Sequence, residues 1–531
     1  MNSIHRESAT VVIVGAGPVG ASAANLLGRH GVRTILLERD REVCPFPRVT
    51  ACHDEVLRIF QMMDLLDGQL QNILPDLRIR IHSGSGRLLG EIHPTNRSNG
   101  FASAATTYQP AIERTLREGL ERLPAVEFRS GHEFVDLRQD DDGVTLQVRT
   151  DGGQDYELRA QYALACDGGR SNVRSKCGID MVGTTLKEQW LIVEMQGPES
   201  QEAVAQVFGA RHRPAIQIQL PRGLQRWEVR LDSEEDTSRY EASDRKAVLA
   251  ELGRWVPASQ LHEILSTRIY RNHARIASRF SHGRVFLVGD AAHIMPPMAG
   301  QGLVSGLRDA ANLAWKIAYV TQGRAKAAIL DSYDIERREH VNKALRASFQ
   351  MGQMYFPETL TGDFARWALL TAMSRSRFFH TLVERSIIPK PMSPDGLFVG
   401  DPPARQLLPQ PHVRLADDRE QLLDFLLGDA FAAVGFGVDP IADLDEEARA
   451  IWRAIGGVGV NVVRPGHTPR SHANGAAIEA VDVSGFFRKW FSSRDNKIAI
   501  VRPDRYVAAF TNARRASETV KELGALLGAR P

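Results

Sequence analysis

The chain has 531 residues, 43% of them hydrophobic and 24% charged, with a formal net charge of +2. That length predicts two or three domains, and the near-neutral balance argues against nucleic acid or an anionic membrane surface as a partner. No stretch approaches the ~20 unbroken apolar residues of a membrane span; the run Val11–Val19 is short, is broken by Gly15 and Gly17, and lacks the cleavage site of a secretory signal. The four cysteines, Cys44, Cys52, Cys166 and Cys177, form no C-x-x-C pair and no zinc spacing with histidine. Incidental thiols in a reduced, cytoplasmic protein without a metal site are therefore expected.

In chain order, Ala9–Val14 reads as a buried strand, Gly15–Gly20 as a tight turn, Ala21–Arg29 as a helix stopped at His30-Gly31, and Thr34–Glu38 as a second strand. Alternating strand-like segments run from Val126 to Ala165, and antiparallel strands are expected over 186–232. A strand at Arg284–Gly289 meets a glycine-rich loop and the helix Gly302–Val320, and 325–390 reads as mostly helical. Pro, Asp and Gly cluster at 389–415 and mark a linker. A small α/β domain follows, ending in strand, strand and helix.

Three motifs carry the chemistry. Gly15-Ala16-Gly17-Pro18-Val19-Gly20 follows a strand and opens a helix. Gly15 permits the turn, Gly17 lets backbone approach a pyrophosphate, and Gly20 lets helix and strand pack. The helix N-terminus offers unpaired N–H groups to the phosphates. Glu38 closes the second strand, where its carboxylate suits ribose hydroxyls. This motif alone does not choose between FAD and NAD. The second is Asp167-Gly168 within Ala165–Arg174, and the third is Gly289-Asp290 leading into Pro297–Gly302 and a helix.

With these motifs in this order, the chain resembles the p-hydroxybenzoate hydroxylase / phenol hydroxylase superfamily of flavin monooxygenases over most of residues 8–390. Its stretches 187–194, 211–229 and 309–318 resemble the 3-(3-hydroxyphenyl)propionate hydroxylase-like branch. The resemblance implies an α/β fold with an α+β substrate layer. A Rossmann-like FAD-binding domain of glutathione-reductase type (roughly 1–80, 100–182 and 275–390) is interleaved with an antiparallel-sheet substrate domain (roughly 81–99 and 183–274). A linker and a thioredoxin-like domain, resembling that of phenol hydroxylases through 499–508, occupy 391–531 and contain no cysteine. It implies that Glu38, with Arg39 beside it, binds the adenosine ribose, that Arg48 and Gln109 face FAD, that Asp167 serves FAD and nicotinamide contacts, and that Asp290 binds the ribityl chain. Pro297, Gly300, Gly302, Leu303 and Val304 then wrap the flavin ring. Many relatives have Asn where Val304 stands, and an acid after the Pro-Arg stretch where this chain reads Val49 to His53.

The implied reaction uses NADH or NADPH and O2 to hydroxylate a small phenolic compound through a flavin C4a-hydroperoxide, with the protein supplying position, dryness and electrostatics. A larger polycyclic substrate, or a non-catalytic FAD-binding protein, are the competing readings, and the family implies a homodimer. A phenol reacts better when deprotonated, so a base is expected; His53 and His273 are the candidates, with His212 and His293 considered beside them. For the substrate, Arg213 (with Arg211) could clamp a carboxylate, while Trp190, Gln217, Met298 and Ala299 are candidate pocket residues.

Overall fold

The computed structural model describes residues 6–529 apart from 211, 233–236, 241–244, 257–261, 357–361, 363–367, 369–391, 394, 401–404, 471–476 and 493–496. Arg211 and most of the segment expected to be helical after 357 lie outside the described residues.

The strand Arg6–Val14 forms the centre of the first sheet, paired in parallel with Thr34–Glu38 on one side and Asp155–Ala165 on the other. Both its faces are covered, which is why Val11 to Val14 run apolar without alternation. The parallel set continues outward to Val126–Ser130 and Val285–Leu287. The hairpin His132–Gln139 and Val144–Thr150 joins through Asp155–Ala165. Helix α1 (Pro18–Arg29) starts with proline in its first turn, where a missing N–H costs nothing, and ends at His30-Gly31. Helix α3 (Gln109–Leu120) packs against it, and helix α2 (Asp54–Met62) joins the same apolar core. Helix α4 (Gln301–Thr321) lies against α1 so closely that a Cβ on Gly306 would stand 2.5 Å from Val19. Helix α5 (Ser332–Tyr355) packs on α4.

The second sheet has eight strands, in the order His293–Ile294, Glu263–Ala277, Met181–Gln196, Leu224–Leu231, Ala215–Gln219, Val204–Gly209, Arg78–Ser83 and Leu88–Ile92. Its strands alternate. Leu191, Val193, Met195, Trp227 and Val229 pack on one face with the helix Arg245–Leu252. The opposite face carries Ile79, Val207, Ile216 and Trp190 and turns toward α5. A third sheet of seven strands occupies the C-terminal region, with Val458–Val463 at its middle and Ala432–Phe436 beside it. Its apolar core takes in Trp315 and Tyr319 of α4 alongside Phe431 and Trp452. Helix α4 therefore begins between the first two sheets and ends inside the C-terminal core.

Candidate functional site

A cavity of about 400 Å³ runs between the first sheet's glycine turn and the apolar face of the second sheet. One end is made by Gly17, Pro18, Val19, Arg48, Gln109 and Asp290. The other is made by Ile79, Val207, Ile216 and Ile218 from the sheet and by Ala347, Met351 and Tyr355 from α5. Met298, Gly300, Gly302 and Leu303 line it where the two ends meet.

The glycine end is held by local hydrogen bonds. Glu38 accepts the Ala16 N–H at 2.7 Å, tying the second strand's end to the turn. Gln109 accepts the N–H groups of Arg48 and Val49 at 2.9 and 2.8 Å and donates to Glu113 at 2.7 Å, so it fixes the backbone that presents Arg48. Gly289 sits at φ 64° and donates its N–H to Asp309 at 3.0 Å, which aims Asp290 into the cavity. Asp309 also binds His293 at 2.7 Å and Arg337 at 2.7 Å, all buried, so His293 is a structural group. Asp290 is exposed to the open cavity but surrounded by protein on its other sides. That surrounding lifts its carboxyl above the usual range, and the charges of His293 and Arg48 oppose the rise.

Two observations fit a dinucleotide here. A Cβ built on Gly17 meets nothing within 4 Å, and neither does one on Gly302, although both glycines line the cavity. The space beside them is left for something other than protein. Helix α4 is capped by Gly300 at φ 59°, with no capping side chain and no acid in its first turn. Its open N–H groups and dipole are directed at the cavity where negative charge is best stabilised. Asp290→Ala is accordingly expected to weaken FAD binding roughly 10- to 100-fold, the value of a hydrogen bond to a charged group. Flavin fluorescence titration checks this; an unchanged affinity contradicts the placement.

Arg39 is exposed beside Asp40, and Glu38 is half-buried behind the turn, outside the cavity lining. Asp167 turns back to accept from Ser171 at 2.5 Å and from Val173 N–H at 3.1 Å, while its neighbour Gly168 lines the cavity. Val304 is fully buried in the core of the first sheet rather than in the cavity wall. His53 lines the cavity, with its Nε2 3.1 Å from Gln301 Nε2; Arg308 donates to Gln301 at 3.4 Å and pairs with buried Glu55. His273 lies away from the cavity lining, its Nδ1 2.9 Å from Thr185 Oγ1, and burial lowers its basicity. Gln217 is turned to the other sheet face by strand alternation and accepts from Gln206 at 2.9 Å. Arg213 approaches Asp232 and Glu251 at 3.7 and 3.8 Å, away from the cavity. Trp190 shares the cavity-side face but lies under Phe356, with ring centroids 5.4 Å apart. Met298 lines the cavity; Ala299 belongs to the 3-10 turn Pro297–Ala299, whose first residue also lines it.

The sequence reading missed several lining groups. Helix α5 contributes His340, Lys343, Ala347 and Met351 at helical spacing along one face. Glu228 enters from the second sheet. Asp54, next to His53, is buried enough that its carboxyl is pushed up to about 7, with Glu55 adding to the rise. Among the described residues no group of three or more His, Cys, Asp and Glu is set to hold a metal ion. No described helix is long and apolar enough to cross a membrane.

Comparisons with known proteins agree with this geometry. The FAD binding domain family matches residues 8–348, and the HcaD C-terminal domain matches residues 406–526. The chain is 37% identical over 521 residues to a 3-(3-hydroxy-phenyl)propionate/3-hydroxycinnamic acid hydroxylase of Burkholderia cenocepacia (strain HI2424), covering 97% of this chain and 96% of that protein. A hydroxylase of the same name from Mycobacterium sp. (strain KMS) is 35% identical over 538 residues, covering 97% and 91%. The flavin-dependent monooxygenase PieE, solved with FAD and substrate, has the same fold with a TM-score of 0.80 at 22% identity, covering 98% and 99% of the two chains. The chain thus belongs to the FAD binding domain family, among the FAD-dependent aromatic hydroxylases related to the 3-(3-hydroxyphenyl)propionate enzymes.

Proposed function

We propose that the protein is an NAD(P)H-dependent FAD monooxygenase that hydroxylates a phenolic acid of the 3-(3-hydroxyphenyl)propionate kind. The observation that carries this reading is one continuous cavity lined at one end by the dinucleotide motifs and at the other by an aliphatic sheet face. When bound, FAD would supply the redox chemistry by which NADH or NADPH and O2 deliver one oxygen atom to the substrate. The chain's own residues do the rest. In this reading Gly17 and the start of α1 take the pyrophosphate, Glu38 the adenosine ribose, and Asp290 the ribityl hydroxyls. The first turn of α4 stabilises negative charge on the ring. Ile79, Val207, Ile216, Met298 and Met351 hold an aromatic ring away from water. On the substrate side Lys343 of α5 takes the substrate carboxylate, exchanging its present partner Glu339 at 2.7 Å.

The C-terminal unit is read as thioredoxin-like. Ala432–Phe436, the helix Glu446–Ala454 and Val458–Val463 make a parallel βαβ unit. Two antiparallel strands, Ile498–Val501 and Val507–Thr511, and the helix Ala516–Leu527 follow. All four cysteines precede residue 178, so its role is structural rather than redox.

The test is NADH and NADPH oxidation by the purified protein with a panel of phenols, with and without a side-chain carboxylate, followed by product mass. Phenolic acids are expected to stimulate oxidation and give a product heavier by one oxygen. Stimulation by polycyclic phenols alone would overturn the substrate class, and no stimulation by any phenol would overturn the hydroxylase reading.

A further inference from the structure

Glu228 lies on the strand Leu224–Leu231 and lines the cavity, although the residue is only 4% exposed. The sheet surface around it is aliphatic: Ala205, Val207, Ile216 and Ile218. A carboxylate in such surroundings is costly unless it is paired and hydrogen-bonded. Glu228 has both. Arg226 Nε donates to its Oε1 at 2.8 Å, and the Tyr270 hydroxyl donates to its Oε2 at 3.2 Å. Arg226 in turn donates to the Pro47 carbonyl at 2.6 Å, one residue before Arg48 at the cofactor end of the cavity. Arg226 also stands 3.7 Å from Glu194, which accepts from Arg268 at 2.7 Å. Two arginines thus balance two glutamates.

A carboxylate offers about four acceptor positions, and Arg226 and Tyr270 use two of them. Among the described lining residues the acids are Glu228 and Asp290, and Asp290 belongs to the cofactor end. Each of the two lining histidines has one ring nitrogen engaged with a protein side chain: His53 Nε2 with Gln301, and His340 Nδ1 with Arg337 at 2.9 Å. Burial, with Glu228 beside it, keeps the Tyr270 phenol protonated, so Tyr270 serves as a donor.

We propose that Glu228 accepts first the hydrogen bond and then the proton of the substrate's ring hydroxyl, an inference that rests on the hydroxylase reading above. In this step the phenolic O–H bond breaks and its electron pair stays on the substrate oxygen. The proton forms a new O–H bond on Glu228, and no electrons are gained or lost. The four-residue cluster goes from neutral to one net positive charge, held by the two arginines. A bound phenol is a far weaker acid than a carboxylic acid, as Tyr270 beside the same carboxylate shows, so the proton moves as the ring attacks the electrophilic oxygen and its hydroxyl turns acidic, and not before.

The experiment compares the wild-type holoenzyme with Glu228→Gln, which keeps the shape and removes the base. Three readouts are taken: flavin content, the rate of oxygenated product formation from 3-(3-hydroxyphenyl)propionate, and the ratio of its Kd to that of the O-methyl ether. Wild type is expected to prefer the phenol at least about tenfold, the worth of one charge-assisted hydrogen bond. Glu228→Gln is expected to keep its FAD, bind phenol and ether within about twofold, and form oxygenated product roughly 100-fold more slowly. Product formation retained in Glu228→Gln would overturn the proposal. So would a wild-type enzyme that hydroxylates the phenol but binds phenol and ether equally, a result that does not depend on the variant folding. A wild type that hydroxylates nothing in the panel overturns the reading beneath it, and the role of Glu228 falls with it.

Discussion

Gly17→Val is expected to give a folded protein that has lost its flavin. A Cβ at position 17 meets no protein atom within 4 Å, so the substitution leaves the fold's own contacts intact. It does place a branched side chain at the start of α1, in the space through which a pyrophosphate must approach the backbone N–H groups. Loss of those charge-assisted bonds is worth on the order of 3 kcal/mol or more, so FAD affinity should fall at least about 100-fold. The contrast is Gly20→Ala, whose Cβ would lie 1.9 Å from the Gly15 carbonyl oxygen and 3.0 Å from the Cys166 side chain. That variant should damage the protein itself. Circular dichroism and flavin titration together separate the two effects. A Gly17→Val protein with unchanged FAD affinity would remove the dinucleotide from this turn.

Arg502→Met is expected to lower stability by about 3–5 kcal/mol, the cost of breaking a buried pair and leaving a charge uncompensated. Arg502 extends from the C-terminal sheet into the FAD domain and is fully buried. It grips Glu336 of α5 with two bonds at 2.8 and 2.9 Å, and it binds Asp504 through Nε at 3.0 Å. Its guanidinium lies 4.7 Å from the Phe398 ring and 5.4 Å from Trp315. Lys316 of α4 reaches the same glutamate at 3.0 Å, and Asn312 reaches it at 2.7 Å. Burial favours the neutral acid, yet the two cations and their hydrogen bonds hold Glu336 far below the usual carboxylate range. Without Arg502, Lys316 alone must balance Glu336 and Asp504. Burial has already pulled Lys316 down to about 8. Urea denaturation followed by tryptophan fluorescence reports the change, since Trp315 and Trp452 share the joint core. Arg502→Lys keeps the charge but not the paired geometry, and should fall between. A midpoint within error of wild type for Arg502→Met would mean that the cluster contributes nothing net.

The two predictions also show what was readable in the chain. The glycine turn, Asp290 and the loop into α4 announce themselves because each is a short stretch whose residue types suit one backbone geometry. Thr34–Glu38 is a strand with the bounds its apolar run suggested, and α4 starts within one residue of expectation. The apolar end of the cavity was not readable in the same way. Choosing Gln217 in place of Ile216 and Ile218 is an error of one in strand parity, and one residue inverts the face. His273 and Arg213 carry suggestive chemistry, but their strand positions direct them to Thr185 and to Asp232 and Glu251. Glu228 and Arg226 look like an ordinary charged strand until Tyr270, from another strand, and Pro47, from the first domain, close around them. The cavity wall from α5 shows only as a run of Arg- and Glu-rich helix, because its apolar stripe is short and the sheet residues that face it across the cavity, Ile79, Val207, Ile216 and Ile218, lie over 100 residues earlier.

A cavity that holds FAD beside an apolar ring site transfers one atom of O2 to a phenol. The most direct measurement is the reaction of the reconstituted protein with 3-(3-hydroxyphenyl)propionate and NAD(P)H under isotopically labelled O2. The product should carry one labelled oxygen for each nicotinamide oxidised. Nicotinamide oxidation that yields only hydrogen peroxide, or a product whose oxygen comes from water, would contradict it.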